Sequence, residues 1–151
     1  MSYSTGEANI LTIIQAMSGY DSNNTSRADW KILDTGRAAY YVVIKPGDEP
    51  APFAFVTFNA YQVDWTTVLQ VWYRYQDEKT TSTNLFTQVQ AVITALQVNN
   101  KLDDTGNTIV NAEIISITPP LERWTRDGGP IWLAQDITVR WTEITNITLD
   151  S

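Results

Sequence analysis

The chain has 151 residues, 43% of them apolar and 18% charged, with 17 acidic against 10 basic side chains and a net charge of −7. It contains neither cysteine nor histidine, which removes disulfides, thiolate nucleophiles, cysteine-based zinc and iron–sulfur sites, and any Ser-His-Asp or Cys-His arrangement. The basic residues are scattered, leaving no footprint for gripping duplex DNA, and no segment approaches the ~20 apolar residues of a membrane helix or the basic-then-apolar start of a signal peptide.

This size and composition make one globular domain over residues 1–151, able to bury roughly 68–70% of its unfolded surface. The first predicted element is a helix. Ile10, Ile13, Ile14 and Met17 recur at i, i+3, i+4 and i+7, a stripe fit to cover a sheet. Ser4 and Glu7 have capping-box spacing at its start, and Gly19 is placed to end it. The polar run Tyr20 to Arg27 reads as loop, and Trp30 to Gly36 as a short apolar piece ending in a turn. Ala38 to Ile44 is β-rich and stops at Pro46-Gly47-Asp48. Phe53 to Tyr61 is the next strand, with Pro52 confined to its beginning. Trp65 to Tyr75 is the third, with Leu69, Val71, Tyr73 and Tyr75 on one face and Val68, Trp72 and Arg74 on the other. Apolar residues on both faces point to burial on both sides, or to a partner on one.

Asp77-Glu78-Lys79 reads as an exposed connection. A second helix is predicted from about Ser82 to Val98, capped by Ser82 or Thr83 and closed at Asn99-Asn100, with Leu85, Val89, Val92, Ile93 and Leu96 as its stripe. The segment Asp103 to Asn107 lacks the spaced carboxylates and terminal Glu of an EF-hand and reads as a plain turn. Two strands follow, Ile109 to Thr118 and Ile131 to about Ile147, around a loop from Pro119 to Pro130. In the last strand Ile131, Leu133, Ile137, Val139 and Trp141 alternate with mostly polar or small residues. A strand this long exceeds the usual five or six residues, and more than a small domain needs to close its core. It points to assembly. The order α-β-β-β-α-β-β gives an α+β class, with two helices packed on one face of an antiparallel or mixed sheet of about five strands.

Little in the chain carries chemistry. Gly128-Gly129-Pro130 is followed by a strand, so the glycine pair suits a hairpin corner or bulge and not a phosphate cradle. Nothing local holds Asp127 with Asp136, or Glu113 with Glu143, at the separation that paired-carboxylate catalysis needs. No catalytic, cofactor or metal site is expected. The glycosylation triplets at Asn23, Asn24 and Asn146 read as chance in a chain this rich in Asn and Thr. The acidic balance suits solubility, or a surface that must lie near nucleic acid without sticking to it. Trp124, Arg123, Arg126 and Trp132 could stack single-stranded bases, fold back on their own sheet, or anchor a protein interface. The candidate subunit interface is Trp124, Arg126, Gly128, Gly129, Pro130 and Trp132, with Trp72.

Four passages then carry a resemblance over nearly the whole chain: the N-terminal helix ending near Gly19; Trp30-Lys31-Ile32-Leu33-Asp34-Thr35-Gly36 with the strand Ala39 to Ile44 and Pro46-Gly47; the strand Trp65 to Tyr75 leading into the second helix; and Gly128-Gly129-Pro130-Ile131-Trp132-Leu133-Ala134-Gln135-Asp136-Ile137-Thr138-Val139-Arg140-Trp141-Thr142-Glu143. Their layout resembles the tail terminator, or tail completion, proteins of long-tailed bacteriophages. The resemblance implies an α+β structural protein of the virion, assembled in the host cytoplasm as a hexameric ring at the head–tail junction. Such a ring stops the tail tube, docks the head connector and lets DNA pass without specific binding, with no cofactor and no membrane. A ring closes through heterologous contacts, and acidic surplus in its lumen would repel phosphates. Two neighbouring possibilities are another neck or tail protein, such as a connector component or a tube subunit, and a small single-stranded nucleic-acid-binding module around Trp124.

Overall fold

The computed structural model describes residues 3–27, 38–47, 53–57, 60–102, 109–124 and 131–146. In chain order these form α1 (Tyr3–Gln15), β1 (Thr25–Ser26), β2 (Tyr40–Pro46), β3 (Phe53–Thr57), β4 (Ala60–Arg74), α2 (Glu78–Val98), β5 (Ile109–Ile117), β6 (Leu121–Trp124) and β7 (Ile131–Asn146). The α+β class and element order stand as predicted. The sheet is larger than expected, with six strands of four residues or more beside the two-residue β1.

Two long strands form the axis. β4 has 15 residues and β7 has 16, roughly 50 Å each at 3.4 Å per residue. They pair antiparallel without a register shift from Ala60↔Asn146 to Arg74↔Trp132. The sheet order is β1-β2-β4-β7-β5, and only the β1–β2 pair is parallel. Each outer edge is shared by two shorter strands running the same way. β2 and then β3 lie along β4, and β5 and then β6 lie along β7. Pro46-Gly47 opens the first break and Pro119-Pro120 makes the second. Proline has no N–H to give a ladder, so it is tolerated only where one side is open.

This pattern corrects two strand expectations. The run Phe53 to Tyr61 is a hairpin, not a strand, since Thr57 pairs with Ala60 and the chain reverses between them. The predicted loop after Ile117 contains β6, because the prolines interrupt an edge and do not end it.

Both helices cover one sheet face, as predicted. Ile10, Ile13 and Ile14 of α1 and Leu85, Val89, Val92 and Leu96 of α2 join Val42, Ile44, Leu69, Val71, Ile137, Val139 and Trp141 in one core. α1 lies toward β1 and β2, and α2 over β4, β7 and β5. α2 starts four residues before the predicted cap. Asp77 is extended (φ −146°, ψ 161°) and its carboxylate accepts from Thr80 N–H at 2.8 Å, so the supposed connection is the cap. Thr81 is fully buried at the head of the stripe, its hydroxyl accepting from Gln76 N–H. Ser4, the predicted cap, lies inside α1, which spans Tyr3–Gln15. The Glu7 carboxylate is instead paired to Arg27 Nε at 2.6 Å. Gly19 does turn the chain after α1, with φ +85° and a carbonyl that accepts from Tyr40 Oη and Asn24 Nδ2. The predicted segments Trp30 to Gly36 and Asp103 to Asn107 lie outside the described residues.

Candidate functional site

The proposed interface residues separate once the register is known. Along β7 the odd positions Leu133, Ile137, Val139, Trp141 and Glu143 face the helices, and the even positions face the opposite side. Trp132 is on that second side, yet it is 0% exposed. Its ring meets Tyr41 edge-on at 5.5 Å and Trp72 at 6.4 Å, and the Arg74 guanidinium sits 5.3 Å above it. With Val43 these residues form a second, small core. Trp132, a candidate for contact with a neighbouring subunit, is thus covered within its own chain. β2, β4 and β7 bring together three aromatic rings that lie far apart in sequence, and among the described residues the buried indole N–H groups of Trp72 and Trp132 find no hydrogen-bond acceptor. Trp72 is half-buried in the same cluster. Trp124 ends β6 opposite Ile131. Arg126, Gly128, Gly129 and Pro130 lie outside the described residues.

Base stacking on Trp132 is not available to a strand at the surface. The carboxylate pairs fare no better. Glu113 stands opposite Arg140 on the open face, while Glu143, two strand positions past Trp141, points into the core and accepts from Trp65 Nε1 at 3.4 Å. Asp136 is on the open face and Asp127 lies outside the described residues. Among the described residues no group of three acidic side chains stands close enough to hold a metal ion, and no helix is long and apolar enough to cross a membrane.

Sheet residues on the open face carry mixed charge. Asp64, Asp136 and Glu113 are interspersed with Lys45, Arg74 and Arg140, so the acidic surplus is not concentrated there.

No family model and no curated protein matches the chain.

The surface that stands out is elsewhere. Among the described residues the large exposed hydrophobic side chains are Phe86 (58% exposed), Val98, Ile115, Ile117 and Leu121. Phe86 and Val98 belong to α2, and Ile115, Ile117 and Leu121 to the β5–β6 edge. Between α2 and β5 runs a groove lined by Leu96, Ala112, Ile114 and Val139 together with the polar Gln97, Asn100, Asn111 and Glu113. Sequence periodicity missed this flank, although Phe86 lies off the α2 stripe and Ile114-Ile115-Ser116-Ile117 is apolar on both sides of its strand.

The same edge is built against strand addition. β5 is irregular between Ile109 and Asn111 and again between Ile114 and Ser116. Ala112 N–H, which faces away from β7, is taken by Asn100 O at 2.7 Å, and Pro119-Pro120 follows. Bulges, prolines and a covered amide are the usual protections of a free edge. A neighbour can meet this flank by its side chains but cannot prolong the sheet there.

Proposed function

We propose that the chain is a structural subunit of a bacteriophage tail, a terminator that closes into a ring, caps the tail tube and joins it to the head connector. The observation that carries this is the set of large hydrophobic side chains left in water on α2 and the β5–β6 edge. Large apolar side chains left exposed on neighbouring elements of a chain of net charge −7 suit a protein contact. The blunted β5–β6 edge favours a contact that closes over one that grows without limit, and so a terminator over a tube subunit. The four-part sequence resemblance supplies the tail context, and the α+β order agrees with it.

The test is a tube-growth assay. Tail tube protein of the same phage is polymerised with and without the purified chain, and lengths are read by negative-stain electron microscopy. Capping shortens the tubes and leaves ring density at one end. Tubes of unchanged length and bare ends refute the terminator role.

A further inference from the structure

Four tryptophans stand in β4 and β7, and the two faces of the sheet treat them differently. On the helix-covered side Trp65 Nε1 donates to Glu143 Oε1 and Trp141 Nε1 to Thr67 Oγ1. On the other side Trp72 Nε1 and Trp132 Nε1 are buried without an acceptor among the described residues, and so is Arg74 Nε. These three nitrogens belong to one cluster. Arg74 is the register partner of Trp132. Its guanidinium lies 5.3 Å from the centre of that ring, and Trp72 meets the same ring edge-on at 6.4 Å. Tyr41, the remaining ring, has its hydroxyl oxygen engaged by Ala38 N–H at 3.1 Å. Indole and guanidinium nitrogens can only donate. Buried donors are nearly always paired in a folded chain, so three orphans side by side mark a place where an acceptor is received. Arg74 also has no ion pair among the described residues. The nearest described acid on that face by register, Asp136, stands four positions along β7 from Trp132, about 14 Å at 3.4 Å per residue. Glu122 lies opposite Leu133 and therefore on the helix side.

We infer that Trp72, Arg74 and Trp132 receive a carboxylate, carried by an acidic side chain of a partner protein. A carboxylate only accepts and offers about four lone-pair sites on its two oxygens, which matches a set made wholly of donors. Its charge answers the guanidinium, and a charge-assisted bond is roughly twice as strong as a neutral one. The bearer is a protein and not a nucleic acid, because a chain of net charge −7 repels a continuous line of phosphates while admitting a single acid. Tryptophan, tyrosine and arginine are also the side chains that dominate interface hot spots. Trp72 and Arg74 are only partly buried, so the cluster reaches the surface there. The site depends neither on ring formation nor on the terminator role.

The test reads the six indole N–H signals of the isotope-labelled parent chain by nuclear magnetic resonance, assigned through the backbone. The probes are sodium acetate and a blocked Ala-Glu-Ala peptide. Sodium chloride at equal ionic strength, a blocked Ala-Gln-Ala peptide and inorganic phosphate serve as comparisons. Acetate and the Glu peptide should move the Trp72 and Trp132 signals downfield, saturably and at millimolar concentration, and leave those of Trp65 and Trp141 in place. The Gln peptide should bind ~10-fold more weakly or worse, and Arg74→Gln should weaken acetate by a similar factor, the loss expected for one charge-assisted bond. The parent titration decides by itself if that variant does not fold. Signals that stay in place, whether water holds them or an acceptor of the chain itself is already bonded, overturn the site. Phosphate that binds as tightly as acetate overturns the choice of a carboxylate and gives the site to phosphoryl groups. Binding of acetate without the Glu peptide overturns the protein source in favour of a small carboxylate. Equal affinity of a folded Arg74→Gln chain overturns the charge pairing.

Discussion

Gly6→Ala sets helix propensity against packing, and the structure decides the sign. An exposed glycine inside a helix costs about 0.5–1 kcal/mol relative to alanine, so propensity alone predicts stabilisation. A Cβ on Gly6, however, would overlap Cη2 and Cζ2 of Trp141 and stand 2.8 Å from its Cζ3, where carbon atoms settle at ~3.5–4.0 Å. The indole has no room to withdraw. It is fully buried, its Nε1 donates to Thr67 Oγ1 at 3.1 Å, and Trp65 lies against it at 6.2 Å. Overpacking costs about 1–3 kcal/mol, and overlap with two rigid ring atoms belongs at the upper end. The net expectation is a loss of about 1–2 kcal/mol, which lowers Tm by roughly 2–8 °C in a chain of this size. Urea unfolding followed by circular dichroism measures it, with an unchanged m value confirming that the native state is affected. In a Trp141→Phe background the outer edge of the indole is gone, and the same alanine should become neutral or stabilising. A coupling of at least ~1 kcal/mol follows for two groups in direct contact. Stabilisation of the parent chain by Gly6→Ala, or the same effect in both backgrounds, refutes the close approach.

Asp77→Ala removes the carboxylate that accepts from Thr80 N–H and should cost about 1 kcal/mol, with Asp77→Asn recovering most of it; equal losses for both in chemical unfolding would rule out a cap. Tyr20 gives a pH dependence. Burial first, then the neighbouring Tyr40 and Tyr73, hold its phenol well above the ordinary tyrosine value, and its hydroxyl is bonded to Gln88 Oε1. The native state therefore keeps this proton more tightly than the unfolded chain, whose tyrosines titrate near pH ~10. That contribution is whole below pH ~10 and is lost as the pH rises further. Unfolding free energies across the alkaline range should fall for the parent chain and fall less steeply for Tyr20→Phe; identical slopes would remove Tyr20 as the cause.

Periodicity carried much of the fold. The stripes Ile10-Ile13-Ile14 and Leu85-Val89-Val92-Leu96 bury as they read, because a helix covering a sheet must present one apolar side. The failures share a cause, since each depends on something the local window does not contain. Asp77 as a cap and Asp77 in a loop look alike until Thr80 N–H is seen to point at it. Thr81 reads as polar, but a hydroxyl satisfied by Gln76 N–H can be buried without penalty. Phe53 to Tyr61 is apolar throughout, and no glycine or proline marks its reversal. Pro119-Pro120 announces an ending that an edge strand does not need to obey. Alternation assigns Trp132 to the outer side of β7, yet Tyr41 and Trp72 arrive from other strands to bury it. Gly6 has no local motive at all; Trp141 supplies it from the far end of the chain. The α2–β5 flank was illegible for the complementary reason, since no pattern says that Phe86 and Ile117 are left uncovered.

The pairing of β4 with β7 also sets an order of events at the ribosome. Thr67 and Trp141 are 74 positions apart, a delay of roughly 4–15 s at 5–20 residues per second. During that interval β4 can collect β2, β3 and α2 but lacks its longest partner, and α1 waits for the Trp141 ring that Gly6 accommodates. The apolar flank is created last, because β5 becomes an edge only when β7 is laid beside it. Until then the apolar faces of β4 and α2 lack the cover that Leu133, Ile137, Val139 and Trp141 bring, so a chain halted before β7 carries open apolar surface.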